Sequence, residues 1–178
     1  MHFAGPIALL SVIAGANSLV IQRDAKAIIG VFTAVQNDID GLDSAVKGWT
    51  TDPAPVLDAS NKLVATIKSG TGTVEGSENL TLSDSITLLK PVQELKTHAQ
   101  TLVDDLKGKK DVVQNGGLCD VVRDQIGVIN TESQALIKAT VSKVPEAAQD
   151  IANKQAQAIT DVLNDAKEAF SEANCKNA

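Results

Sequence analysis

His98, the acidic pairs Asp38/Asp40 and Asp104/Asp105, the run GTGTVEG at 70–76, and the cysteines Cys119 and Cys175 are the residues here whose types could do chemistry. General acid–base work needs titratable groups converging on one reacting atom. The aspartates lie on helical faces among charged neighbours, so they read as solvated groups rather than as a paired acid and base. His98 sits on the flank of an apolar stripe and reads as a surface histidine. GTGTVEG lacks the closing Lys-Ser/Thr of a phosphate-binding loop, and neither a Cys–His cluster nor H-E-x-x-H occurs. These signals point to no catalytic residue, no metal and no cofactor. The chain reads as a non-enzyme.

The two cysteines can pair only with each other. A bridge closing more than fifty residues contributes roughly 4 kcal/mol in the chain-entropy model. The alternative is two buried thiols.

The apolar residues are more informative. In IIGVFTAVQNDIDGLDSAVKGW, residues 28–49, the positions Ile28, Phe32, Val35, Ile39, Leu42, Val46 and Trp49 recur at steps of 4, 3, 4, 3, 4 and 3. That is one face of a long helix. The break Asp52-Pro53-Ala54-Pro55 ends it, and Pro55 can open a second helix carrying Val56, Ser60, Leu63 and Ile67. The glycines of 70–76 predict fraying of its end. Thr81-Leu82-Ser83-Asp84 reads as a capping box for a third helix, with Leu88, Val92, Leu95, Ala99, Leu102 and Leu106 as its stripe. Pro91 inside that stripe predicts a kink near Thr87. A fourth helix carries Leu118, Val122, Ile126, Ile129, Ser133, Leu136 and Thr140. After the corner Val144-Pro145-Glu146, a fifth carries Ala152, Gln155, Ile159, Val162 and Ala166. No run alternates as a half-buried strand does. The expected fold is all-α: an antiparallel bundle of about five long helices, joined by short connections, with one disulfide. The hairpin about Val144 places the start of the fourth helix beside the end of the fifth, which brings Cys119 to Cys175.

The chain has 178 residues, a formal net charge of −6 from 22 acidic and 16 basic residues, and 2% aromatics. One domain fits that length. A nucleic-acid partner is not expected, because it needs a basic stripe and stacking aromatics. KGKK at 107–110 reads as a solvated helix end, with a phosphate or headgroup contact as the lesser reading. Residues 1–18 read as a secretory signal peptide: an apolar core from Ile7 to Ala14, followed by the small residues of a cleavage site, with residues 19–178 as the mature domain. No transmembrane segment is expected. The end SEANCKNA lacks the hydrophobic tail of a lipid-anchor signal, so a secreted, extracellular protein is expected. Asn79-Leu80-Thr81 is a glycosylation sequon and places Asn79 in a surface loop.

With so few aromatics, the interior must be aliphatic. Candidate wall residues for a hydrophobic ligand are Phe32, Val35, Leu63, Ile67, Leu88, Val92, Leu95, Ile129, Leu136, Ile159 and Val162. Ser60, Ser133 and Gln155 interrupt the stripes, with Thr140 a fourth. Either they bond to a preceding carbonyl or lie at a stripe edge, or they hold the carboxyl head of a fatty acid whose tail lies among the helices. About 0.8 kcal/mol per buried methylene makes such a tail worth roughly 12 kcal/mol gross.

IQRDAKAIIGVFTAVQNDIDGLDSAVKGW, LLKPVQELKTHAQTLVDDLKGKK and LIKATVSKVPEAAQDIANKQAQAITDVLNDAKEAF together resemble the fungal hydrophobic surface-binding protein A family, which includes cell wall galactomannoproteins. The resemblance covers residues 19 to about 173. It implies a secreted fungal all-helical domain that binds hydrophobic matter, by capturing fatty acids in a helical bundle or by adsorbing to hydrophobic surfaces, where it would recruit a secreted hydrolase. A structural cell wall mannoprotein is a blander third reading. Some members carry a Ser/Thr-rich stalk and an anchor signal, which this sequence lacks, so release is favoured over wall anchoring. The family offers no short ligand motif, so the candidate site rests on stripe positions.

Overall fold

The computed structural model describes residues 16–178, with side chains from residue 24 onward. The expected leader, residues 1–18, lies outside the described residues except for its last three, which open the first helix. The chain forms α1 (Ala16–Gly48), α2 (Ala54–Glu75), α3 (Leu82–Gly108), a short α4 (Lys110–Asn115), α5 (Cys119–Lys143), a 3-10 turn at Glu146–Ala148, and α6 (Gln149–Ala169). Among the described residues there is no strand. No described helix is long and apolar enough to cross a membrane.

The five long helices close into a ring. α3 packs on α1, α1 on α2, α2 on α5, α5 on α6, and α6 returns to α3. Side-chain pairs give the directions. Asp38 of α1 meets Lys62 and Thr66 of α2, while Val31 lies beside Gly70, so those helices run oppositely. Ser60 with Gln125, then Lys68 with Glu132, climb α2 and α5 together, so these are parallel. Asp40 with His98, then Lys47 with Asp105, do the same for α1 and α3. Consecutive long helices thus alternate in direction, as their short connections require. The ring nevertheless sets α1 beside α3 and α2 beside α5 as parallel neighbours. Here the lower end denotes the end where α1, α3 and α6 finish and α2 and α5 begin.

Local signals act as the residue types dictate. Thr81 caps α3, its Oγ1 accepting from Asp84 N at 3.1 Å while Asp84 Oδ2 accepts from Thr81 N at 3.3 Å. α3 continues through Pro91. One expectation needs correction. The 70–76 glycines do not fray α2, which runs helical to Glu75. Gly70 is buried there against Val31, so its missing side chain serves the close approach of α1. After Gly108 the short α4 adds to the five long helices before Gly117 turns the chain with φ +68°. At that lower end Cys119 and Cys175 form the disulfide, with Cα atoms 5.6 Å apart. At the upper end Lys143 Nζ donates to the Glu75 and Ser77 carbonyls, tying α5 to the end of α2.

Candidate functional site

A cavity of about 270 Å³ lies along the inside of the ring, lined by residues of all five long helices. Its walls follow from the stripes: a 4, 3 repeat turns one face of each rod inward, and five inward faces enclose a common axis. The space stays open because several inward positions are short. The 3-10 turn presents Ala148, α6 presents Ala152, Ala156 and Ala166, and α3 presents Ala99. A methyl group at such a position does not reach the opposite wall.

All eleven apolar candidates, Phe32, Val35, Leu63, Ile67, Leu88, Val92, Leu95, Ile129, Leu136, Ile159 and Val162, line this one cavity. So do Ser60, Ser133 and Gln155. Among the described residues the lining holds no Asp, Glu, Lys, Arg or His. Such a wall has no group to move a proton at neutral pH, and the described residues contain no cluster suited to a metal. What it can do is exclude water from an apolar chain and offer a few neutral hydrogen bonds.

The polar lining divides into satisfied and open groups. Ser60, 3% exposed, has its Oγ 2.9 Å from the Leu57 carbonyl and 3.1 Å from Gln125 Oε1, and its single proton serves one of them. Thr140 and Ser85 donate back to the carbonyls of Leu136 and Thr81, each at 2.8 Å. Ser133 and Gln155 are half-buried, and among the described residues their side chains have no hydrogen-bond partner. Gln125 and Ser85 were missed in the stripe reading. Gln125 lies on the flank of its stripe, three residues after Val122 and four before Ile129, and Ser85 is one turn before Leu88, so widening the first stripe and extending the second backward finds both.

At the upper end the lining reaches solvent. Leu82 and Ile86 in α3 and Ile151 in α6 are cavity residues that remain 49%, 58% and 47% exposed. The lining also surfaces at Val121, early in α5. Asn79 is exposed in the connection between α2 and α3.

The charged candidates lie on the outer seams. Asp38 is not solvated as expected: it is 7% exposed, with Lys62 Nζ at 2.8 Å and Thr66 Oγ1 donating at 2.5 Å. Burial raises its pKa, but the hydrogen bonds from Lys62 and Thr66 and the Lys62 charge outweigh that and hold it below the ordinary value. Asp40 turns instead to α3, meeting His98 Nδ1 at 2.5 Å, while Gln36 Nε2 lies 3.1 Å from His98 Nε2. Asp105 pairs with Lys47 at 3.1 Å, and Asp104 lies 3.8 Å from Lys107. Apart from the Asp104–Lys107 pair within α3, these contacts stitch helices together, and none of these residues lines the cavity.

Residues 25–142 match the family described as hydrophobic surface binding protein A. The chain belongs to this family. Cell wall mannoprotein 1 of Aspergillus fumigatus is 35% identical over 161 residues, covering 89% of this chain and 56% of that protein. The Aspergillus flavus mannoprotein of the same name is 27% identical over 155 residues, covering 86% of this chain and 57% of that protein. The chain therefore spans about half the length of these curated relatives. Among solved structures, ligand binding domain 2 of Penicillium marneffei MP1 protein, complexed with multiple arachidonic acids, superposes with a TM-score of 0.80 at 19% identity, covering 83% of this chain and 96% of that one. AFMP4P in complex with palmitic acid superposes with a TM-score of 0.77 at 22% identity, covering 83% and 99%. For a hydrophobic surface binding protein A member, these likenesses establish that the ring of helices is a fold shared with those domains.

Proposed function

We propose that this hydrophobic surface binding protein A member is a secreted, non-enzymatic carrier that holds fatty acids, or other ligands with long apolar chains, inside its helical ring. The observation that carries the proposal is the uncharged, almost wholly apolar cavity running between all five long helices. The acyl chain lies along the aliphatic walls. Its head group meets the neutral polar groups: Ser60 with Gln125, Ser133, and Gln155. Fatty acids in the structural neighbours, arachidonic and palmitic, support this choice of ligand. The leader at residues 1–18 and the sequon at exposed Asn79 support export and glycosylation, and the relatives' names support an extracellular or cell wall setting.

The test is direct. Purified protein is extracted with organic solvent and the extract examined for acyl chains by mass spectrometry. The delipidated protein is then titrated with a fluorescent fatty acid. Saturable uptake is expected, and its absence removes the carrier reading.

A second reading is adsorption, in which the ring opens and lays its apolar faces on a hydrophobic solid or lipid surface, there recruiting a secreted hydrolase. The half-exposed Leu82, Ile86 and Ile151 favour it. A disulfide engineered between α3 and α6 would hold the ring shut. Undiminished adsorption of that variant to hydrophobic beads would remove the opening mechanism.

A further inference from the structure

Trp49 stands in the wall at the lower end of the cavity, just beyond α1. It lines the cavity and is 3% exposed. Its backbone is fully engaged: the N–H donates to the Val46 carbonyl at 3.1 Å, and the carbonyl accepts from Lys109 Nζ at 3.0 Å. Its indole Nε1 is buried, and among the described residues it has no acceptor. An indole nitrogen can only donate, and a buried donor left unpaired is costly.

Other features of the same end point the same way. Gln125, in the second turn of α5, holds its carbonyl oxygen 3.1 Å from the Ser60 hydroxyl, and its half-buried amide donates to no acceptor among the described residues. Ser60 stands one turn beyond Val56 near the start of α2, and all three residues line the cavity. The Lys109 ammonium donates only to carbonyls, of Lys47 and Trp49. The widely exposed apolar residues of the lining, Leu82, Ile86 and Ile151, lie at the other end.

We propose that the lower end is the seat of the ligand's oxygen-bearing head, with the Trp49 indole N–H donating to a carboxylate oxygen and the acyl tail running up toward Leu82, Ile86 and Ile151. A carboxylate supplies the missing acceptor for Trp49, and the Gln125 amide, also in the lining, can donate to it. This assignment rests on the carrier reading above and adds to it an orientation and a donor. Head-group selectivity then resides at Trp49, while the aliphatic wall sets chain length.

Trp49 is the one tryptophan of the chain, so its emission reports on the lower end alone. Delipidated protein is titrated with stearic acid carrying a nitroxide quencher at carbon 5 or at carbon 16, with total binding of each followed by calorimetry. Stronger quenching by the carbon-5 label is the expected result. Equal quenching, or stronger quenching by the carbon-16 label, overturns the orientation while leaving the carrier reading intact. Failure of both to bind by calorimetry removes the carrier reading and this assignment with it. Trp49→Phe keeps an aromatic wall and deletes the donor. About tenfold weaker binding of stearate is expected, a larger loss than that for dodecane, which shares the wall but not the hydrogen bond. Unaltered stearate affinity in folded Trp49→Phe overturns the donor role.

Discussion

A β-carbon added to Gly70 would run into Val31 Cγ1, so α1 and α2 meet there with no side chain between them. Val31 cannot swing away freely, since a β-branched residue in a helix has one strongly preferred rotamer. Gly70→Ala should therefore push the helices apart and cost about 1–3 kcal/mol. Gly72, two residues on, has open space around its Cβ position. Gly72→Ala should stabilise by up to about 1 kcal/mol through helix propensity. Denaturant midpoints of the two variants check the contrast.

The disulfide closes a separation of 56 residues around α5 and α6. The double variant Cys119→Ser with Cys175→Ser should lose about 4 kcal/mol of stability. The loss should be felt first in α6, whose lower end the bridge secures alongside the Arg123 bonds to the Phe170 and Cys175 carbonyls. Hydrogen exchange should show the amides of α6 opening before those of α1.

Asp38 makes stability depend on pH in acid. Its folded pKa lies below its ordinary value of 3.8. The folded state therefore binds its proton less readily than the unfolded chain. The Asp38 contribution is present above the unfolded value and is lost as pH falls through the folded one. Wild type should exceed Asp38→Asn in stability at about pH 6, and the gap should narrow below about pH 4. Urea unfolding across that range checks the sign.

Ala152 lines the cavity from α6. Ala152→Leu should occupy part of the space that a tail would fill. Fatty acid affinity should fall about tenfold or more. Stability of the empty protein should stay level or rise by up to about 2 kcal/mol, from methylenes moved out of water. Thermal unfolding and fluorescent fatty acid titration read the two effects separately. Lower stability with intact uptake would mean that residue 152 faces packed side chains instead.

The sequence by itself determined the helices, their inward faces and the pairing of Cys119 with Cys175. Step-of-3.6 periodicity, the capping box at Thr81 and the Val144-Pro145 corner are local, so each stretch carries its own record. Extending the α3 stripe one step back would also have reached Ser85, and widening the α5 stripe by its flank would have reached Gln125. Only the tertiary structure decided which stripe faces which. An apolar face is equally content against any apolar partner, so nothing local says that α1 lies beside α3, or α2 beside α5. From that arrangement come the contacts that periodicity is silent about: Gly70 against Val31, Asp38 buried between Lys62 and Thr66, Ser60 reaching Gln125. The cavity has the same origin. Whether Ala152 and Ala156 leave a gap depends on what stands opposite them at the same height, and whether the Trp49 N–H finds an acceptor depends on neighbours from other helices. Both are sums over residues distant in sequence and adjacent only once the ring has closed.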